Sequence, residues 1–334
     1  MKLIVQIPCL NEETTLPETV AGIPRVIPGV DSVEILVIDD GSTDRTVEVA
    51  KELGVEHIVR FSGNRGLGHA FAAGLDRCVS LGADVIVNTD GDNQYFGGDI
   101  PRLIQPILDG TADMVIGDRN PAEIAHFSPL KRFLQKLGSY IVSRLAGIEV
   151  ADVASGFRAY SRDAAMRLTC STDFDHTVDH TIQAGRRRII TRTVPIATNT
   201  QLRESRLFSS IGVFVARSLG IMLRVYSSYR AMPIFATLGA ISCFLGFLIG
   251  LRFLYIFFFD PETADKHIQS LILAAILSIA GIQIILTGVI ADLINSNRKL
   301  MEDVSYRLRR LECGRIPESS ETPARQGEKG EEFP

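Results

Sequence analysis

The sequence predicts an α/β domain built on a mostly parallel sheet, followed by amphipathic interface helices and two transmembrane helices. Three observations predict it. Short apolar runs alternate with helix-forming stretches through residues 1–205. Several of those runs empty into polar loops rich in Asp, Asn and Gly. Two stretches in the last third are apolar over the roughly 20 residues that a bilayer crossing needs.

The elements follow in order. Residues 3–7 read as a strand closed by Pro8, with a helix from about residue 15. Residues 34–38 form a second strand, ended by Asp39-Asp40-Gly41-Ser42; Ser42 or Thr43 is placed to cap the helix that runs through residue 53. A third strand at 57–61 leads into a glycine-rich loop at 63–68 and a helix at 70–81. The run 83–89 reads as a buried strand that ends at Asp90-Gly91-Asp92. A helix at 100–108 and a strand at 113–116 come next, then an amphipathic helix at 129–146 carrying Lys131, Arg132, Lys136 and Arg144. Ser155-Gly156-Phe157-Arg158 is a turn before another strand; a helix at 179–184 and a strand at 189–195 complete a mostly doubly wound sheet.

The pattern changes at residue 206. Over 206–230 one face carries Leu207, Ile211, Phe214, Val215, Leu219, Met222 and Leu223, interleaved with Arg217, Arg224 and Arg230, which suits a membrane surface. Residues 231–259 and 268–294 are the two spans, joined by an acidic link at 260–265. Arg217, Arg224 and Arg230 precede the first span and Arg298 and Lys299 follow the second, so the positive-inside rule puts the domain of residues 1–205 and both termini in the cytoplasm and the link outside. Arg252 would cost roughly 2.5–3.5 kcal/mol at mid-bilayer, but it lies toward the outer end and can snorkel. Residues 295–334 read as a charged cytoplasmic helix, with a pattern that allows self-association into a homo-oligomer, and a tail of disorder-prone composition.

Composition supports this division. The 334 residues carry a formal net charge of -4, and no basic recognition motif points to nucleic acid. Mean hydropathy is +0.17, unusual for a wholly soluble chain, and the excess lies in the last third. The five cysteines are scattered, and no pair has zinc-ligand spacing. The N-terminus does not read as a signal peptide, because Pro8 closes its short apolar run.

Asp90 and Asp92 are separated by one residue, so an extended backbone points both carboxylates to one side. At roughly 4–5 Å they repel by about 1 kcal/mol even in water. A hard divalent cation would relieve that repulsion. A solvated Asp-Gly turn explains the same residues, and spacing alone does not separate the two. His176 and His180, at i and i+4, have metal-ligand spacing on a helix, but no third ligand is evident. The glycines at 66 and 68 resemble a dinucleotide fingerprint, but Phe71 stands where its third glycine is required.

Taken together, Pro8-Cys9-Leu10-Asn11-Glu12, Asp39-Asp40-Gly41-Ser42, Asn64-Arg65-Gly66-Leu67-Gly68-His69-Ala70 and Asp90-Gly91-Asp92-Asn93-Gln94, in this order, resemble the family 2 glycosyltransferases with the GT-A, Rossmann-like fold. The resemblance covers residues 1–205 and is strongest to the branch that loads a sugar onto a polyprenyl or dolichyl phosphate. It implies that Pro8, Asn11, Glu12, Asp39 and Asp40 hold the nucleoside, that Asn64, Gly66, Gly68 and Gln94 belong to the nucleotide-sugar side, and that Asp90 and Asp92 bind Mg²⁺ or Mn²⁺ against the donor diphosphate. Many members carry a lysine where this chain has Leu67, which removes that phosphate contact unless Arg65 substitutes.

Gly117-Asp118-Arg119, Asp152 with Ser155-Gly156-Phe157-Arg158, and Arg203-Glu204-Ser205-Arg206 resemble the family's acceptor-side motifs. The resemblance implies that Arg119, Asp152, Ser155, Arg158, Arg203 and Arg206 surround the acceptor phosphate, with Arg158 and Arg203 catalytic; Asp179 matches a catalytic acidic position. The implied reaction is inverting transfer of a hexose from a nucleotide-sugar to polyprenyl phosphate at the membrane. A processive polysaccharide synthase would share the catalytic domain, but those enzymes carry a Gln-x-x-Arg-Trp motif and this chain has no tryptophan. A non-catalytic nucleotide-sugar-binding membrane scaffold would keep the first loops without needing the acidic pair.

Overall fold

The computed structural model describes residues 1–120, 129–169, 176–199, 211–259 and 268–312. Seven strands make one sheet: β1 (Lys2–Cys9), β2 (Ser32–Asp39), β3 (His57–Arg60), β4 (Val85–Asn88), β5 (Met114–Asp118), β6 (Arg158–Ser161) and β7 (Thr191–Pro195), in spatial order β3-β2-β1-β4-β6-β5-β7. The helices are α1 (Leu16–Ala21), α2 (Thr46–Glu52), α3 (Leu67–Ser80), α4 (Ile100–Leu108), α5 (Pro129–Ala146), α6 (Arg162–Arg167), α7 (His176–Arg186), α8 (Ile211–Phe259) and α9 (Ile268–Glu312).

The sheet is buried on both faces, which explains why β1 and β2 read as nearly continuous apolar runs. Alternate residues of each strand enter opposite layers. Ile4, Leu36, Ile38, Ile86, Met114 and Tyr160 meet α3, α5, α6 and α7 on one face, through residues such as Phe71, Val142, Ala165 and Ile182. Leu3, Val5, Val37, Val87, Val115 and Ala159 meet α1, α2 and α4 on the other, through Leu16, Ala50, Leu103 and Ile104.

One strand departs from the parallel expectation. β6 runs antiparallel to both β4 and β5. This matters for the site. In a parallel β6 the turn before Arg158 would sit at the amino edge; reversed, it sits at the edge where β1, β2, β4, β5 and β7 all end. The capping expectation also fails. α2 begins at Thr46 after Arg45, without a side-chain cap, because Ser42 Oγ is engaged by the Asn11 N–H at 2.9 Å.

The membrane region is simpler than expected. Residues 211–259 form one unbroken helix rather than an interface helix and a separate span, with Pro233 near the junction. Residues 268–312 form a second. Within them, Met232–Phe259 and Ile268–Asn297 are long and apolar enough to cross a membrane. Only 11% and 17% of their most apolar windows are buried in the protein, so these are not core helices of the sheet domain. They pack on each other through small residues. A Cβ on Gly239 would stand 2.6 Å from Gly281 O, and one on Gly246 2.8 Å from Ala274 O. Ser242 Oγ donates to Leu277 O across the pair at 2.8 Å.

Candidate active site

Five chain segments meet at the carboxyl edge of the sheet, and short polar contacts lock them together. The loop after β1 turns at Asn11, which takes a positive φ of 57°. Its carboxamide accepts from Thr43 N at 2.8 Å, tying it to the loop after β2. In that second loop Gly41 has φ 80°, and a Cβ there would lie 2.6 Å from Gly63 Cα. Only glycine lets the second loop approach the glycine-rich segment so closely.

Asp39 and Asp40 are both buried. Asp39 Oδ1 accepts from Ser42 N at 2.9 Å, and Arg60 Nε approaches Oδ2 at 3.2 Å without hydrogen-bond alignment. Asp40 spends its carboxylate on the glycine-rich loop, accepting from Arg65 N at 2.7 Å and Gly66 N at 3.0 Å. Asn64 Oδ1 accepts from Gly66 N at 2.9 Å. Gly66 precedes α3 and Gly68 is buried in its first turn. Beside these loops a cavity of about 430 Å³ opens, lined by Gly41, Ser42, Thr43, Arg60, Phe61 and Ser62.

The acidic loop follows β4. Asp90 and Asp92 are half-buried. Asp92 Oδ1 accepts from Gln94 N at 3.1 Å, closing an Asx turn. Thr15 Oγ1 bridges Glu12 Oε2 at 2.7 Å and Gly91 O at 2.8 Å, so the first loop braces the acidic one. Pro8 lies behind it, inside β1 rather than closing the strand as expected, because the strand runs on to Cys9, and a Cβ on Gly91 would lie 3.5 Å from Pro8 O. The negative charge is concentrated. Burial pushes the Cys9 thiol up, and the carboxylates of Glu12, Asp39, Asp90 and Asp44 push it further. Among the described residues no group of three or more His, Cys, Asp or Glu side chains forms a metal cage.

The turn before β6 is fitted against this loop. Gly156 N donates to Tyr95 Oη at 2.8 Å, and Gly156 O accepts from Asn88 Nδ2 at 2.8 Å. Asn88 in turn accepts from Gln6 Nε2 at 3.0 Å. A Cβ on Gly156 would stand 3.1 Å from both Asp90 carboxylate oxygens and 3.4 Å from Tyr95 Oη. Gly156→Ala is therefore expected to displace Asp90 and cut turnover by at least about tenfold, with little change in melting temperature. Steady-state rates beside thermal unfolding check this; unchanged turnover would show that Asp90 tolerates the shift.

The expected acceptor-side residues within the described chain are buried and engaged with their neighbours. Arg158 is fully buried, and its guanidinium donates to Val153 O at 2.6 Å, Ser155 O at 2.8 Å and Thr181 Oγ1 at 3.2 Å. It ties the turn to α7 and presents no surface to a phosphate. Arg119 is bidentate to Asp152, at 2.6 and 2.9 Å, with the Asp152 side chain fully buried. Burial opposes the Arg119 charge, but Tyr95, Asp152 and Asp90 outweigh it and keep the guanidinium protonated. Ser155 is fully buried, its hydroxyl without a hydrogen-bond partner among the described residues. Asp179 is buried on α7, two positions from Thr181. Arg203 and Arg206 lie outside the described residues. His176 stacks on Phe71 at 3.6 Å, with His180 edge-on to both Phe71 and Tyr160. Burial pushes His180 down to about 3, so this pair is neutral packing in an aromatic cluster.

Sequence reasoning missed four supports: Gln6, Asn88, Tyr95 and Asn199. Asn199 Nδ2 donates to Asn93 O, Asn93 Oδ1 and Tyr95 O, each at 3.1 Å, and so pins the segment after β7 to the acidic loop. Gln6 and Asn88 did leave a signal, as amides inside otherwise apolar strands.

Comparison with known proteins bears on this geometry. The model for glycosyl transferase family 2 matches residues 4–169. The chain is 33% identical over 182 residues to the UDP-N-acetylglucosamine–dolichyl-phosphate N-acetylglucosaminyltransferase of Methanococcus voltae, across 49% of this chain and 70% of that protein. It is 29% identical over 224 residues to the undecaprenyl-phosphate mannosyltransferase of Micrococcus luteus, across 63% of this chain and 89% of that protein. Its fold is similar to that of glucosyl-3-phosphoglycerate synthase from Mycobacterium tuberculosis, crystallised with Mn²⁺, uridine diphosphate and phosphoglyceric acid. The TM-score is 0.51 at 20% identity, over 68% of this chain and 78% of that one.

Proposed function

This chain belongs to glycosyl transferase family 2, and we propose that it moves a hexose from a UDP- or GDP-linked donor to the phosphate of a polyprenyl phosphate, with inversion, at a membrane surface. The observation that carries this reading is one chain with both an acidic loop at a sheet's carboxyl edge and two apolar helices long enough to span a bilayer. Relatives named for dolichyl and undecaprenyl phosphate support the choice of acceptor. The basic flanks of the spans support a cytoplasmic catalytic domain.

We assign the site residues the following roles. Pro8, Asn11, Glu12, Asp39 and Asp40 build the nucleoside side next to the 430 Å³ cavity, and Asn64, Gly66, Gly68 and Gln94 extend it toward the sugar. Asp90 and Asp92 fit Mg²⁺ or Mn²⁺, because their hard carboxylate oxygens share one half-buried loop braced by Glu12 through Thr15. When bound, such a cation supplies Lewis-acid neutralisation of the departing diphosphate.

The acceptor phosphate is ionised near neutral pH and needs no strong general base. Its oxygen attacks the anomeric carbon from the face opposite the diphosphate. The new C–O bond forms as the old one breaks, and the electron pair leaves with the nucleoside diphosphate. Arg203 and Arg206 are assigned to holding the two polyanions together. Arg158 acts one step back, fixing the turn that carries Gly156 against Asp90.

Full-length protein in vesicles containing polyprenyl phosphate, given a panel of radiolabelled nucleotide sugars, tests this. One donor should yield labelled, solvent-extractable lipid, and chelator should stop it. Failure of every donor to label lipid would overturn the reading.

A further inference from the structure

The last helix returns to the catalytic domain. The candidate span ends at Asn297, yet α9 continues unbroken to Glu312. Tyr306 lies about 14 Å beyond Asn297 at the helical rise. Its hydroxyl donates to Asp163 Oδ1 at 2.7 Å, and its ring faces the Arg167 guanidinium, 5.4 Å from Cζ to the centroid. Asp163 also pairs with Arg167 at 2.8 Å. One turn further on, Arg309 Nη1 donates to Leu168 O at 3.1 Å and Met166 O at 3.4 Å, carbonyls that the end of α6 leaves without helical partners. Arg309 Nη2 pairs with Asp76 on α3 at 3.2 Å. Tyr306 is packed against the core cluster beneath.

The place of this grip in the fold gives it a consequence. α6 follows β6, whose Ser161 pairs with Val85 at the start of β4. The grip is therefore at the sheet edge opposite the acidic loop. At the site's own edge, Asn199 is pinned to that loop twelve positions before α8 begins at Ile211. A domain joined to its membrane anchors by chain connectivity alone can swing; a helix that leaves a span unbroken and grips the domain through side chains restrains its height and tilt.

We propose that the extension of α9 is a strut that sets the catalytic site at a fixed height over the bilayer, with Tyr306 and Arg309 as its positioning residues. The proposal rests on the reading of polyprenyl phosphate as acceptor. A phosphate anchored in lipid cannot move up to a site, so the site must be held at its level. An acceptor dissolved in water makes no such demand.

The test uses the full chain in vesicles and the double variant Tyr306→Ala/Arg309→Ala. KM for long-chain polyprenyl phosphate in the bilayer should rise at least about tenfold, whereas KM for a short, water-soluble prenyl phosphate should change less than about twofold. The milder pair Tyr306→Phe/Arg309→Gln should show the same split, smaller, which guards against misfolding of the alanine pair. Because the chain has no tryptophan and Phe96 is 48% exposed near the site, Phe96→Trp gives a single reporter. Its energy transfer to dansyl headgroups should be well defined in the parent and broadened in the double variant. Both KM values moving together, neither moving, or unchanged energy transfer would overturn the strut. If the parent labels no lipid at all, the acceptor reading fails, and energy transfer still decides the strut.

Discussion

Asp92→Asn is expected to abolish sugar transfer and leave the fold in place. The two effects separate because Asp92 does two things. Its Oδ1 closes the turn to Gln94 N at 3.1 Å, and an asparagine carbonyl accepts that bond equally well. Its charge is half of the Asp90–Asp92 pair, and an amide cannot supply it. Loss of a cation that neutralises a leaving diphosphate removes several kcal/mol of transition-state stabilisation, so turnover should fall at least about a hundredfold. The check is turnover against manganese concentration, beside the melting temperature. Full activity in the variant, or full activity of the parent in chelator, would remove the metal role.

Arg119→Ala carries the largest expected stability loss. It leaves the fully buried Asp152 carboxylate without its bidentate partner, which costs about 3–5 kcal/mol when one member of a buried pair is removed. Arg119→Ala/Asp152→Ala should recover part of that loss, because it takes away the stranded charge. Arg119→Lys should not rescue fully, since a single ammonium cannot reproduce contacts of 2.6 and 2.9 Å from two guanidinium nitrogens. Thermal unfolding of the full chain measures all three. A double variant as unstable as the single one would show that the loss came from packing under Tyr95, whose ring centroid lies 6.0 Å from the guanidinium carbon.

Much of this fold is legible in the chain, because sheet burial writes itself as apolar runs and the loops after β1, β2 and β4 write themselves as Pro, Asn, Asp and Gly. Direction is not written in a four-residue strand. Nothing in Arg158–Ser161 says that it runs against β4, and only that reversal brings Gly156 to Asp90. Arg158 shows the other limit. A motif names a residue but not the way its side chain faces, and here the guanidinium satisfies the backbone at Val153 and Ser155. Tyr95 was illegible for a related reason: its partner, the Gly156 N–H, is 61 residues away and carries no side-chain signal. The long helices were read in pieces because composition changes near residue 230 while the backbone does not break there.

In the proposed reaction, the acidic loop after β4 holds the cation against which the nucleotide departs. Crystals of the full chain grown with manganese and a nucleoside diphosphate test it directly, through the anomalous signal. A manganese peak is expected beside the carboxylates of Asp90 and Asp92, with the nucleotide ordered next to it. Ordered nucleotide with no manganese peak at that loop, or a peak bound elsewhere in the domain, would contradict it.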